Sequence, residues 1–185
     1  MRLFKEQGLV VDSIRLVHLT KDNKVLSDRE FPRDKGFWHN LAVRLGLAHD
    51  TMVVNGFQAI INFLELSGQS STAFTYIGIG TGTTPSSTTD SQLQTPLQLA
   101  IATGISKVTT TNTNDTMQLT LTFSQSAFAG LTGTAVAVTE VGVFNGTTNG
   151  TSIMLLHQVY SPADTMNFNQ GDQLQVTVKV NAKQG

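Results

Sequence analysis

The chain has 185 residues, a net charge of −1 and no cysteine. Its length suits a single domain, or a domain with an appendage. The near-neutral charge argues against a strongly basic nucleic-acid-binding protein, and the lack of cysteine excludes disulfide scaffolds, thiol catalysis and cysteine-based zinc sites. No apolar run reaches the roughly 20 residues that cross a bilayer, and residues 1–16 lack a signal-peptide stretch, so we expect no membrane partner.

Charged residues are sparse and unevenly placed. They make up 14% of the chain, against about 25% in ordinary soluble domains. Residues 1–66 hold 17 of the 25 charged residues, whereas residues 67–185 hold eight, together with 24 threonines. We predict two parts: residues 1–50, a charged hairpin with one helix, and residues 51–185, a second helix followed by a Thr-rich β domain.

The N-terminal part begins with a predicted β-hairpin. Residues 9–19 are rich in β-branched side chains and partly alternate, a polar turn follows at residues 21–24, and a second strand is predicted over residues 25–31. Pro32 is expected to end this strand, because proline has no N–H to donate to a neighbouring strand.

Two short amphipathic helices are predicted next. Residues 37–45 bring four apolar side chains to one helical face. Residues 55–66 repeat apolar side chains at helical spacing between Asn55, a candidate N-cap, and Gly68. These faces must be covered, and two alternatives are open: the second helix packs on the β domain, or residues 1–50 form an arm that docks on a partner subunit.

The Thr-rich part contains short alternating runs separated by turn residues. Leu119, Leu121 and Phe123 face one way while the residues between them are polar, and residues 173–180 alternate in the same manner. Such alternation is typical of an antiparallel sheet with one buried side. We predict a mainly β fold, an antiparallel β-sandwich or jelly roll preceded by a β-hairpin and two short helices. The six predicted strands of the β domain are residues 74–80, 99–108, 117–123, 134–144, 152–160 and 173–180.

The polar faces of these strands carry Thr, Gln, Ser and Asn rather than Lys and Glu. Natural sheets usually protect their exposed edges with charged side chains. A sheet surface without such charges tends to associate with others. We therefore expect a homo-oligomer, or a permanent place in a larger assembly.

No motif in the chain indicates catalysis or cofactor binding. Residues 78–82, GIGTG, follow a predicted strand, but the dinucleotide fingerprint needs a helix after its glycines, and here a predicted coil with Pro85 follows. The four histidines form no metal-binding pair, and the few acids of the β region form no obvious catalytic pair. We expect no enzyme, cofactor or metal site, and we interpret the glycines as residues that let a strand bend or permit close backbone approach.

Glu140 is unusual because it lies in the most apolar predicted strand, at residues 137–144. By alternation it shares a face with Val138 and Gly142. A partly buried carboxylate needs a cation or N–H donors. Two alternatives follow: Glu140 contacts a partner subunit or acts as a catalytic acid, or it is a structural glutamate held by hydrogen bonds.

Three segments occur in a characteristic order. The first is FTYIGIGTGTTP with a Thr-Asp step after it, the second is TEVGVFNG, and the third is LLHQVYSP followed by FNQGDQL. Together they resemble a family of small virion structural proteins from tailed bacteriophages. The resemblance extends over residues 55–180. The hairpin at residues 9–31 and the helix at residues 37–45 lie outside it, and the second acid that usually follows the Thr-Asp step is missing.

The resemblance implies a β-sandwich building block of the virion. Our leading hypothesis is a non-enzymatic capsid cement (decoration) protein, a homotrimer that clamps neighbouring major capsid protein subunits on the outside of the head. It would be made in the host cytoplasm and reside in the virion. A phage tail, baseplate or fibre-attachment protein is the alternative. A third hypothesis is a host-carbohydrate-binding module that presents Tyr76, Phe128 or Tyr160.

Five residues are candidate subunit contacts. Aromatic and arginine side chains are favoured at the energetic centres of interfaces. That preference selects four residues of the N-terminal part, to which the unusual glutamate is added. The five are Phe31, Phe37, Trp38, Arg44 and Glu140.

Overall fold

The computed structural model describes residues 8–32, 49–52, 73–109 and 115–183. Within these ranges the protein is mainly β, with two five-stranded antiparallel sheets and one short 3-10 helix at Phe168–Gln170. This confirms that the fold is mainly β and antiparallel, whereas the predicted helices at residues 37–45 and 55–66 lie outside the described residues. The strands are β1 (Gly8–Leu19), β2 (Val25–Pro32), β3 (His49–Met52), β4 (Tyr76–Gly80), β5 (Pro96–Ile101), β6 (Gly104–Val108), β7 (Thr116–Ser124), β8 (Val136–Phe144), β9 (Met154–Met166) and β10 (Gln173–Lys183).

Sheet 1 has the strand order β2-β1-β10-β7-β6, and sheet 2 has the order β3-β9-β8-β4-β5. The predicted hairpin is confirmed, because β1 and β2 pair antiparallel around a turn in which Asn23 has a φ of 60°. β1 also pairs with β10 along its whole length. The hairpin therefore belongs to the same sheet as the last strand, while the predicted boundary at residue 50 stays a prediction.

The two sheets share one hydrophobic core. The apolar side chains of β7 and β10 that were predicted to point inward are largely buried, and β4, β8 and β9 of sheet 2 contribute to the same cluster. Each large apolar side chain removed from water contributes roughly 1.5–3 kcal/mol, so this cluster holds the sheets together. Its fully buried members include Leu119, Phe123, Leu174, Val176 and Val178 from sheet 1, and Ile77, Ile79, Val141, Val143 and Leu156 from sheet 2.

Residues 99–108 were predicted to form one strand, and this prediction is wrong. β5 ends at Ile101 in sheet 2 and β6 begins at Gly104 in sheet 1, so the chain crosses between the sheets at residues 102–103. Ala102 is buried there, and its N–H donates to the Thr75 carbonyl oxygen at 2.8 Å. Apolar residues stand on both sides of the crossing, so the composition of the segment does not mark it.

Strand β9 continues to Met166, beyond Tyr160, where the sequence pattern ends it. Its pairing with β8 shifts register between the Val159 and Asp164 positions, so Pro162 falls in an irregularity of the ladder. Proline is tolerated at such positions because no ladder N–H is needed there. The four-residue strand β3, which no alternation in the sequence predicts, pairs with the first half of β9.

The outer face of sheet 2 is covered by residues 81–95, which connect β4 to β5 and are called the covering segment below. Leu93 of this segment is buried with Phe144 and Met154 in a second, smaller hydrophobic cluster. These residues lie on the opposite side of the sheet from the shared core. The covering segment and the face beneath it contain the most unusual polar contacts of the protein.

Candidate functional site

Three glycines form a flat strip on the outer face of sheet 2. Gly78, Gly80 and Gly142 alternate with residues of the shared core, so a side chain at any of them would point toward the covering segment. A Cβ atom on Gly80 would lie 2.3 Å from Oε1 of Glu140 and 2.4 Å from the carbonyl oxygen of Thr95, well inside normal contact distance. The glycines therefore allow the segment to pack directly on the sheet, which matches the structural interpretation of the GIGTG run.

Glu140 of β8 is fully buried beneath the covering segment. Its Oε1 accepts hydrogen bonds from the N–H groups of Gly82 at 2.9 Å and Thr95 at 2.8 Å, and its Oε2 accepts from the N–H of Gln94 at 3.0 Å. Oε2 also lies 3.0 Å from Nε2 of His157 on β9. A buried carboxylate needs such donors, and three of these four come from the covering segment itself.

His157 is also fully buried and lies between two carboxylates. Its Nε2 faces Glu140, and its Nδ1 lies 2.7 Å from Oδ2 of Asp90 in the covering segment. The same Asp90 oxygen accepts the Ser87 N–H at 2.8 Å. Because both ring nitrogens face carboxylate oxygens, only the doubly protonated imidazolium donates to both. The Asp90–His157–Glu140 cluster is therefore a cation held between two anions.

These contacts shift the pKa values of the buried pair in opposite directions. Burial alone would lower the pKa of His157, but the hydrogen bonds and charges of Glu140 and Asp90 outweigh it and raise this pKa above its ordinary 6.5. Burial alone would raise the pKa of Glu140, but hydrogen bonds from His157 and three backbone N–H groups hold this pKa below its ordinary 4.5. Both groups are therefore charged at any pH between 4.5 and 6.5.

The cluster holds three elements of the fold together. Neither Glu140 nor His157 has exposed surface. Among the described residues, the ring nitrogens of His157 contact the carboxylates of Asp90 and Glu140. The Thr139 hydroxyl adds a further bond to the Gly82 carbonyl oxygen at 2.7 Å. Together these contacts join β8, β9 and the covering segment.

A second charged cluster joins β2 of sheet 1 to the end of β9 in sheet 2. The Arg29 guanidinium forms an ion pair with the buried Asp164 carboxylate and donates to the Pro162 carbonyl oxygen. It also lies over the ring of Tyr160, 5.2 Å from the ring centroid. The Ser27 hydroxyl donates to Asp164 at 2.8 Å. Burial raises the pKa of Tyr160 well above its ordinary 10.0, so this phenol stays neutral.

A third pair joins β1 to the segment that precedes β10. Nε2 of His18 lies 3.0 Å from Oδ2 of Asp172, and that oxygen also accepts the Asn167 N–H at 2.8 Å. With this pair, each of the five acids that follow residue 67 has a contact inside the chain. Asp115 accepts the Thr116 hydroxyl at 3.0 Å, and the other four are Asp90, Glu140, Asp164 and Asp172.

The candidate contact residues lie in different places. Phe31 is half-buried, and its ring centroid lies 5.5 Å from that of Tyr160. Glu140 has no exposed surface to offer a partner, and its contacts match the second alternative, a structural glutamate held by hydrogen bonds. The other candidates lie outside the described residues, so their contact role stays a prediction: Phe37, Trp38 and Arg44.

Sequence reasoning missed His157 and Asp90 as partners of Glu140. His157 is 17 positions from Glu140 and 67 from Asp90, so no local spacing relates the three. One usable signal was alternation in β9, which places His157 on the face opposite to Leu156. The register of β9 with β8 then pairs His157 with Gly142 and brings it beside the buried glutamate.

Metal binding, membrane spanning and sugar binding each need features that can be sought among the residues that the structure describes. Among them, no group of three His, Asp or Glu side chains is arranged to hold a metal ion, and no helix is long and apolar enough to cross a membrane. The aromatic residues considered for sugar binding are packed against other side chains: Tyr160 is buried, and Tyr76 and Phe128 pack on the two hydrophobic clusters.

Comparison with known proteins identifies no relative. No family model matches this chain, and no curated protein or solved structure is similar enough to it to indicate a family. Its function must therefore be inferred from its own residues, their contacts and the surface they form.

Proposed function

We propose that this chain is a non-enzymatic structural protein of a tailed-bacteriophage virion, and specifically a capsid cement (decoration) protein. Two antiparallel sheets that share one core are the architecture of a β-sandwich, and we infer a sandwich of jelly-roll type. The observation that carries the proposal is the nearly uncharged surface of the β region, which suits a protein packed among neighbours. The resemblance of residues 55–180 to phage virion proteins is the reason that we propose a virion as the assembly in which these neighbours lie.

The surface carries even less charge than the composition indicates. Of the charged side chains described after residue 67, only Lys107 is well exposed, because most of the acids serve the internal contacts above. Low surface charge promotes association in solution. In an assembly, the same surface packs against neighbours without leaving buried unpaired charges, which are strongly destabilising.

Within the part of the chain that the structure describes, two edge strands and the crossing between them form one continuous stretch, residues 96–108, which is called the β5–β6 edge below. β5 is an edge of sheet 2, β6 is an edge of sheet 1, and the chain runs directly from one to the other. Ile101 and Ile105, on either side of the crossing, are 54% and 51% exposed. The other edge of sheet 1, β2, carries three consecutive charged residues and ends in proline, features that prevent edge pairing. The β5–β6 edge has Lys107 alone, and we assign subunit contact to it.

A cement protein acts by adding many modest interfaces to a shell. A standard protein interface buries about 1,600 Å², and engaging several at once raises the overall avidity well above that of each contact. We assign self-association, as a homotrimer, to the β5–β6 edge. We assign contact with the major capsid protein to the N-terminal part, with Phe31, Phe37, Trp38 and Arg44 as anchors.

The proposal is tested by mixing the purified protein with tail-less capsids that lack it and sedimenting the particles. A cement protein should saturate these heads in a fixed ratio to the major capsid protein. Binding only to tails, baseplates or fibres would replace the cement hypothesis with its alternative. Binding to none of these particles would overturn the virion assignment.

The docking role of the N-terminal part is tested by substitution. Deleting residues 1–50 would remove β1 and β2, and β1 is hydrogen-bonded to β10, so deletion would disrupt sheet 1 as well. Trp38→Ala and Arg44→Ala should instead weaken capsid binding while far-UV circular dichroism stays unchanged. Unchanged capsid affinity in both variants would contradict this role.

A further inference from the structure

We propose that the Asp90–His157–Glu140 cluster is a proton-dependent latch: protonated His157 holds the covering segment, residues 81–95, on the outer face of sheet 2, and loss of that proton releases the segment. The latch is a property of this fold and does not depend on the virion assignment.

The latch connects the covering segment to the sheet through one cation. Glu140 on β8 receives the segment's N–H groups at Gly82, Gln94 and Thr95. Asp90, near the middle of the segment, reaches His157 on β9. Both carboxylates therefore depend on the same imidazolium, one on each ring nitrogen.

Deprotonation of His157 removes the charge that balances two acids. A neutral imidazole has one N–H, so its other nitrogen would present a lone pair to a carboxylate oxygen at 2.7 or 3.0 Å. Glu140 has no exposed surface, and a buried carboxylate without a counter-ion is strongly unfavourable. Admitting water relieves this cost, and water reaches Glu140 when the covering segment lifts.

No other described cation substitutes for His157. β8 contributes Glu140 and the covering segment contributes Asp90, both acids, and β4 carries no charged residue. β3 lies beside β9 with Thr51 in register with His157, and it carries His49 and Asp50 two and one positions before that point. No lysine or arginine of the described residues is paired with either carboxylate of the latch.

Release of the segment would expose an apolar surface. Leu93 leaves its cluster with Phe144 and Met154 when the segment lifts, and the glycine strip beneath loses its cover. The open state therefore differs from the closed one in two measurable ways: the segment's N–H groups exchange with solvent, and the Met154 methyl group changes its environment.

The test is amide hydrogen exchange by NMR on the full chain, from about pH 5 to about pH 9, which brackets the ordinary histidine range. Corrected for intrinsic rates, protection at Gly82, Gln94 and Thr95 should fall by up to about tenfold per pH unit as the pH rises from the ordinary histidine value toward the midpoint at which the His157 ring titrates in the folded chain, because opening is coupled to loss of one proton in that range. Above that midpoint the protection should level off. Amides of β10 in sheet 1, such as that of Val176, should keep their protection over the same range.

Two variants and a control make the test specific. Asp90→Asn keeps a hydrogen-bond acceptor but removes one negative charge, so the His157 midpoint and the loss of protection should both move to lower pH. His157→Gln should abolish the pH dependence, whereas His18→Gln, which changes the histidine paired with Asp172 in sheet 1, should leave it intact. Protection that does not follow the His157 titration, in the unmodified chain or in Asp90→Asn, would overturn the proposal, even if His157→Gln fails to fold.

Discussion

At the scale of single residues, the outer face of sheet 2 depends on side chains that are absent as much as on those that are present. Gly80 leaves the space that the Glu140 carboxylate and the Thr95 carbonyl oxygen occupy. Glu140 in turn supplies the acceptors for three N–H groups of the covering segment. A small residue and a buried acid, four strands apart in the chain, therefore form one packing unit.

Gly80→Ala should lower the free energy of unfolding by about 1–3 kcal/mol, the usual cost of forcing extra atoms into a packed site. The added Cβ would meet backbone and carboxylate atoms that cannot move independently. Gly130→Ala is the matched control, because a Cβ at that position has no atom within 4 Å. Urea unfolding of both variants measures the difference, and equal stabilities would contradict the close packing.

The buried pair also sets a pH window for stability. The pKa of His157 is raised in the folded state, so its contribution to stability is complete below 6.5 and is lost as the pH rises through the folded value. The pKa of Glu140 is lowered, so its contribution is complete above 4.5 and is lost as the pH falls through the folded value. The free energy of unfolding, measured with urea at a series of pH values, should therefore include the full contribution of this pair between pH 4.5 and pH 6.5. His157→Gln should flatten the alkaline side, and an unchanged profile would contradict the assignment.

At the scale of strands, local alternation and long-range pairing decide different things. The hairpin of β1 and β2 and the faces of β7 and β10 were predicted, because their period-two patterns are local. The crossing at residues 102–103, the extension of β9 and the strand β3 were not predicted. Each of these depends on which distant strand lies alongside, and a run of apolar residues carries no record of its partner.

Arg29→Ala should destabilise the protein by about 3 kcal/mol, since it leaves the Asp164 carboxylate buried without its cation. The loss acts between sheets, because Arg29 lies on β2 and Asp164 on β9. A double-mutant cycle with Asp164→Asn measures the coupling by urea unfolding. Arg15→Ala, which removes a solvent-exposed ion pair with Asp28, is the control and should have little effect. A coupling near zero would show that the cluster does not tie the sheets.

At the scale of the whole molecule, the β2 edge and the β5–β6 edge differ in charge. The β2 edge is charged, whereas the β5–β6 edge combines exposed isoleucines with a single lysine. A charged side chain is tolerated on an edge that faces solvent, but it is unfavourable on an edge that is buried in an interface. The contrast between the two edges therefore tests the proposed assembly directly.

Ile105→Lys should weaken self-association by about tenfold or more, equivalent to about 1.4 kcal/mol, because it places a charge in the proposed interface. Val25→Lys on β2, whose side chain is similarly exposed at 53%, is the matched control and should leave association unchanged. Light scattering coupled to size-exclusion chromatography measures both. Equal effects of the two substitutions, or a chain that is monomeric at all concentrations, would contradict an interface at the β5–β6 edge.

The sequence by itself determined that this protein is mainly antiparallel β and that little charge is available to its surface. Both follow from local information: the alternation of side chains along each strand and the composition of residues 67–185. Only the tertiary structure decided that Asp90, His157 and Glu140 meet and that the few acids mostly turn inward. Strand order and register bring distant residues together, and these depend on the packing of the whole chain rather than on any short stretch of it.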